Sequence, residues 1–131
     1  MSIKLGPVGH FAIAVSDVER SERFWTENFD VTPIFRFEQG VGLSNDAVTI
    51  VPFKGEPKPE VIEHLSFHLK TMDELRSALN VLKKNGVEVE DPGDEIGPEA
   101  PGSPHMGLWF HDPDGYRWEL SVQNGAVEQD R

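Results

Sequence analysis

The sequence predicts an α+β fold made of two β-α-β-β-β modules, and three observations predict it. Two strand-like stretches of one design recur, GHFAIAV from Gly9 and EHLSFHL from Glu63. Each runs straight into a capped amphipathic helix, and each helix is followed by short strand-like runs set apart by turn residues. An internal repeat of this kind fixes the architecture before any single residue is weighed.

The elements follow in order. In GHFAIAV, alternation puts Phe11, Ile13 and Val15 on one strand face and His10, Ala12 and Ala14 on the other. EHLSFHL repeats the design, with Leu65, Phe67 and Leu69 set against His64, Ser66 and His68. Ser16 with Glu19, and Thr71 with Glu74, fit capping boxes, and Asp17 is an equally good first cap that restores the register between halves. The first helix then carries Val18, Phe24, Trp25 and Phe29 on one apolar face, and the second carries Met72, Leu75, Leu79 and Leu82. Gly86, after Lys83, Lys84 and Asn85, stops the second helix.

Beyond the helices, VTPIFRFE, a Gly-rich turn around Gly40 and Gly42, and DAVTIVPF complete the first module. VEVED, MGLWFH and YRWELSV complete the second, with Asp114-Gly115 as the tight turn before the last strand. The chain reads as one domain: module one about 7–54, a GEPKPE linker about 55–60, module two about 61–122, and a short tail 123–131. Segment 91–105 is too rich in Pro and Gly for regular structure and has the length of loops that cover a site.

Composition narrows the function classes. The 131 residues can bury a core without metal or disulfide staples, and the absence of cysteine removes disulfide frameworks, zinc ribbons and thiol nucleophiles. A net charge of −11, from 23 acidic and 12 basic residues, repels phosphate backbones and anionic lipid. With no leader-like segment and no 18-residue apolar run, the expectation is a cytoplasmic protein that binds a small molecule rather than nucleic acid or membrane.

Three residues carry the chemistry. His10 and His64 open the two repeated strands on the face opposite the large apolar side chains, and Glu119 alternates away from Trp118 and Leu120 in the closing strand. Two histidines and a carboxylate make a set of the kind that holds a catalytic divalent metal. Taken singly, each has a plainer reading, as a hydrogen-bonded strand histidine or a solvated glutamate. His68 shares the face of His64, and His105 ends the Pro/Gly loop; these two are the acid–base candidates. His111, before Asp112-Pro113, reads as a turn residue. Arg36 and Arg117 either bind an anionic substrate or form surface ion pairs. Trp25, Trp109 and Trp118 could wall a ligand site, although periodicity places Trp25 and Trp118 in the core.

The opening GHFAIAVSDVERSERFW, the EHLSFHL strand and the closing DPDGYRWEL, spread over roughly residues 7–122, resemble the vicinal-oxygen-chelate superfamily. That group includes glyoxalase I, extradiol dioxygenases, fosfomycin-resistance enzymes and bleomycin-binding proteins. The resemblance implies modules that pair into a curved mixed sheet, with helices on its convex side and metal on its concave face. His10, His64 and Glu119 match the family's ligand positions one by one. It also implies one divalent metal per site (Fe, Mn, Ni or Zn), a small oxygen-rich substrate and a homodimer in which His10 of one chain could share a metal with His64 and Glu119 of the other.

Departures sort the members. Glyoxalase I takes a fourth ligand from the last strand of the first module, where this chain offers only Ile50, Thr49 or Val51. Fosfomycin enzymes carry a hydroxyl two residues after the first histidine, where this chain has Ala12. Three ligands leave coordination positions open for a chelating substrate. The expected activity is therefore that of a dioxygenase or an isomerase/lyase; the alternative is a metal-independent protein that sequesters an antibiotic, as bleomycin-resistance proteins do.

Overall fold

The structure is a computed structural model that describes residues 2–129. It divides into two compact units, Met1–Lys58 and Pro59–Arg131. A 3-10 turn at Pro59–Val61 opens the second unit. Each unit forms its own mixed sheet with a helix packed on one side, which is the α+β repeat that the sequence predicts.

In the first unit the order is β1 (His10–Val15), α1 (Val18–Asn28), β2 (Thr32–Phe37), β3 (Gly40–Ser44) and β4 (Thr49–Lys54). The sheet order is β1-β4-β3-β2, and β1 and β4 run parallel with His10 opposite Thr49 and Ala12 opposite Val51. Asp17, not Ser16, is the N-cap of α1; its side chain accepts the Arg20 N–H at 3.0 Å. Helix α1 packs on β3 and β4. Ile13, Val15, Trp25, Val31, Val41, Leu43 and Ile50 are buried.

Gly40 and Gly42 correct the expectation of a turn, because they lie in the buried strand β3. They are needed there for space. A Cβ on Gly42 would come within 2.1 Å of the Phe35 ring, and one on Gly40 within 2.9 Å of the Phe37 ring, because β2 pairs Phe35 with Gly42 and Phe37 with Gly40. The two rings stack with centroids 6.0 Å apart and remain exposed.

The second unit runs β5 (Leu65–Leu69), α2 (Met72–Lys84), β6 (Glu88–Val89), β7 (Gly97–Pro98), β8 (Met106–His111), β9 (Arg117–Val122) and α3 (Gly125–Gln129). Its sheet order is β5-β9-β8-β6, with β5 and β9 parallel and β8 and β9 antiparallel. Thr71 caps α2 by accepting the Glu74 N–H, and the Glu74 carboxylate accepts the Lys70 N–H in return. Gly86, at φ +74°, ends α2; its N–H bonds the Lys83 carbonyl while the Val87 N–H bonds that of Leu82. Met72, Leu75 and Leu82 point into a core with Leu108, Phe110, Trp118 and Leu120.

Two segments differ from expectation. Within 91–105, β7 forms a two-residue ladder with β8, pairing Gly97 with Gly107 and Pro98 with Met106, despite the Pro and Gly content. So short a strand needs few N–H donors, and proline's missing one costs little there. The tail contributes α3, whose Gly125 packs so tightly on Met72 and Met106 that a Cβ would meet them at 2.8 and 2.9 Å. Residues 130 and 131 of that tail lie outside the described residues. No described helix is long and apolar enough to cross a membrane.

Candidate metal centre

The ladders of the second unit decide which side chains share a face. Glu119 is paired with Ser66 of β5 on one side and Trp109 of β8 on the other, and Ser121 is paired with His68 and Gly107. Alternation therefore collects Ser66, His68, Gly107, Trp109, Arg117, Glu119 and Ser121 on the face opposite the core residues Trp118, Leu120 and Val122. His64, one residue before β5, joins them. Its Nε2 lies 3.6 Å from Glu119 Oε1.

Glu119 is 1% exposed, and its Oε2 is buried with no hydrogen-bond partner. Burial pushes its carboxyl pKa up; the neighbouring Ser66 hydroxyl and the His64 ring pull it back, while Glu99 adds to the rise. The space for this carboxylate comes from Gly107, where a Cβ would sit 2.5 Å from Glu119 Oε2. A buried, partnerless carboxylate oxygen is costly, and a bound cation would offset that cost, as would a proton.

The donor pair fits a divalent metal. Ligands bound at about 2.0–2.2 Å lie ~3.0 Å apart at a right angle and ~3.4 Å apart at a tetrahedral angle, and the observed 3.6 Å is close to the latter. The chemistry of the pair, one imidazole and one carboxylate, suits Fe, Mn, Ni or Zn.

His64 is held from behind. Its Nδ1 is 2.7 Å from Glu63 Oε1. Arg117 donates to the same Glu63 at 2.5 Å through Nη1, and to Glu90 at 2.7 and 2.9 Å through Nε and Nη2. Glu90 also meets His111 Nε2 at 2.8 Å. Hydrogen bonds from His64 and then Arg117 lower the Glu63 pKa, and those from Arg117 and then His111 lower that of Glu90. The Arg117 guanidinium lies 5.2 Å from the Trp109 ring centroid, and Trp109 meets the His64 ring edge-on at 6.2 Å.

The other sequence candidates fall as follows. His10 begins β1 in the first unit, exposed, on the face it shares with Ala12 and Ala14. Among the described residues no group of three or more His, Cys, Asp or Glu converges as a metal cage; within the second unit the pair is His64 and Glu119. His68 is exposed, its Nε2 3.4 Å from the Gln123 amide nitrogen. His105 accepts the Asn124 N–H on Nδ1 at 3.0 Å, which leaves its Nε2 as the other ring nitrogen for chemistry. Arg36 is clasped by Glu22 at 2.8 and 3.0 Å, so both arginines form ion pairs. Trp25 and Trp118 are core, whereas Trp109 is half-buried on the Glu119 face.

Glu63, Glu90 and Gly107 are the site residues that sequence reasoning did not find. Of these, Glu63 was the most accessible, since it directly precedes His64; Gly107 was legible only as an unexplained glycine inside MGLWFH.

The profile of the glyoxalase/bleomycin resistance protein/dioxygenase superfamily matches residues 8–120. The chain belongs to that superfamily. No curated protein matches it in sequence. Among solved structures, a glyoxalase/bleomycin resistance protein/dioxygenase from Alicyclobacillus acidocaldarius is similar with a TM-score of 0.73 at 14% identity, covering 88% of this chain and 90% of that one. Lactoylglutathione lyase from Agrobacterium tumefaciens has a TM-score of 0.72 at 13% identity, with 92% and 96% covered. The fosfomycin resistance protein FosX from Listeria monocytogenes has a TM-score of 0.71 at 18% identity, with 93% and 94% covered. At these identities the likeness is one of fold, and function must be argued from the site.

Proposed function

We propose that the protein is a cytoplasmic, divalent-metal-dependent enzyme acting on a small oxygen-rich substrate, with His64 and Glu119 as two ligands and His10 as the third. One observation carries the reading: the buried Glu119 carboxylate, whose Oε2 has no hydrogen-bond partner and whose Oε1 lies 3.6 Å from His64 Nε2. A bound divalent cation would supply Lewis-acid polarisation of chelating substrate oxygens. Glu119 offsets the cation's charge from a buried position, Gly107 keeps room for that carboxylate, and the Ser66 hydroxyl steadies it. Trp109 Nε1 is buried on the same face without an acceptor, a donor suited to a substrate oxygen. His68 and the Nε2 of His105 are the proton-transfer candidates. Either dioxygenase or isomerase/lyase chemistry is compatible with this set, and Val51 supplies no fourth ligand of the glyoxalase I kind.

The test is a thermal shift. Fe(II), Mn(II), Ni(II) or Zn(II) should raise the Tm of the wild type, chelator should reverse the gain, and His64→Ala and Glu119→Ala should each abolish it. A shift produced by small molecules and indifferent to chelator would instead favour the sequestering protein of the bleomycin-resistance type. The exposed Phe35 and Phe37 pair is the observation on that side. We further propose a homodimer with metal sites shared between chains. His10→Ala and Glu119→Ala chains, unfolded, mixed one to one and refolded together, should then regain one good site per mixed dimer, about a quarter of all sites for random pairing; no regain would contradict sharing.

A further inference from the structure

The environment of His64 contains more charge than a metal ligand requires. A histidine ligates through a ring nitrogen that carries no proton, and which nitrogen that is depends on the bond made by the other. In this chain the other nitrogen, Nδ1, faces Glu63 at 2.7 Å, and an ionised carboxylate can only accept. In the neutral ring that metal binding requires, the proton then resides on Nδ1 and the Nε2 lone pair turns toward Glu119.

Glu63 alone would be a poor anchor, because its side chain is 71% exposed and free to rotate. Arg117 removes that freedom. Its guanidinium is gripped by Glu90 through two bonds and rests against Trp109, and its remaining Nη1 meets both Glu63 oxygens, at 2.5 and 3.2 Å. Planar bidentate pairing gives this clamp a direction that lysine could not supply. His111 Nε2 meets the Glu90 oxygen that also accepts from Arg117 Nε.

We infer that Glu63 and Arg117 are positioning residues that set the tautomer and aim of His64, a role that rests on the metal reading of His64 and Glu119. Neither residue needs to touch metal or substrate.

The ring-nitrogen shifts of His64 in metal-free protein, read by two-bond proton–nitrogen NMR, test this directly. Wild type should show the Nδ1–H form. Glu63→Ala should move His64 toward Nε2–H and weaken Ni(II) or Zn(II) binding by about 10- to 100-fold. Glu63→Gln, whose amide oxygen still accepts, should keep the tautomer and lose less affinity. Arg117→Met should shift both readouts in the Glu63→Ala direction by a smaller amount. An Nε2–H tautomer in wild type, or a Glu63→Ala protein with unchanged tautomer and affinity, would overturn the inference. Wild-type protein that takes up no metal would overturn the metal reading instead, and the tautomer in that same sample would still decide whether Glu63 orients His64.

Discussion

Both units pair their opening strand in parallel with their closing strand, yet the residues these ladders bring together are opposite in character. In the first unit Ala12 faces Val51 and Ala14 faces Phe53; in the second Ser66 faces Glu119 and His68 faces Ser121. Counting from the paired histidines, Val51 stands where Glu119 stands. Of the three residues that the sequence left open as a fourth ligand, the register selects Val51, which offers no donor atom. The first unit also fills its open face with Phe35 and Phe37 laid over glycines, whereas the second keeps Gly107 clear for a carboxylate. One backbone plan thus carries either a hydrophobic face or a charged site, and a handful of inward positions decide which.

The largest expected effect sets those counterparts against each other. Glu119→Gln should weaken metal binding by at least about 100-fold, some 2.7 kcal/mol, while Val51→Ala should cost about 1 kcal/mol of stability and leave metal affinity unchanged. Isothermal titration with Zn(II) and thermal melts of the two variants check this. Equal losses of affinity would break the comparison.

Next come the glycines. Gly107→Ala should destabilise by about 1–3 kcal/mol and reduce metal affinity, because its Cβ meets a buried carboxylate and the Leu120 carbonyl at 3.1 Å. Gly42→Ala should cost less, since the ring it meets belongs to the half-exposed Phe35 and can swing outward. Urea unfolding of both variants would rank them.

The smallest effect concerns acid. The Glu90 pKa is lowered in the folded protein by Arg117 and then His111, so its stabilisation is present above the ordinary carboxylate range and is lost as pH falls through the lowered value. Glu90→Gln should therefore lower stability by under about 1 kcal/mol near neutral pH and flatten the acid side of the stability profile. Glu22→Gln, which frees the exposed Arg36, should change the profile less, because Arg36 remains 64% exposed beside its partner. Denaturant melts from pH 3 to 7 measure both.

The repeat was legible because burial follows alternation. Ile13, Val15, Trp118 and Leu120 are buried where periodicity puts them, and Asp17, Thr71 and Gly86 act as the helix signals that their chemistry implies. Gly40 and Gly42 misread as a turn because glycine marks both turns and close cross-strand contacts, and only the pairing with Phe35 and Phe37 tells them apart. At the site, His64 and Glu119 could be proposed from face and position, but the Glu63–Arg117–Glu90 clamp could not. It joins residues 27 and 54 positions apart, and no local pattern records that separation.

The central claim is that the second unit's buried carboxylate and the His64 imidazole hold a metal. Metal content of protein purified without chelator or affinity tag, measured by elemental analysis beside His64→Ala and Glu119→Ala, tests it most directly. The account predicts about one equivalent per chain in wild type and almost none in either variant; Fe or Mn would direct assays to dioxygenation, Zn or Ni to isomerase or lyase chemistry. Wild type that holds no metal, even after anaerobic addition of Fe(II), Mn(II), Ni(II) and Zn(II), would contradict it and leave the sequestering protein as the better description.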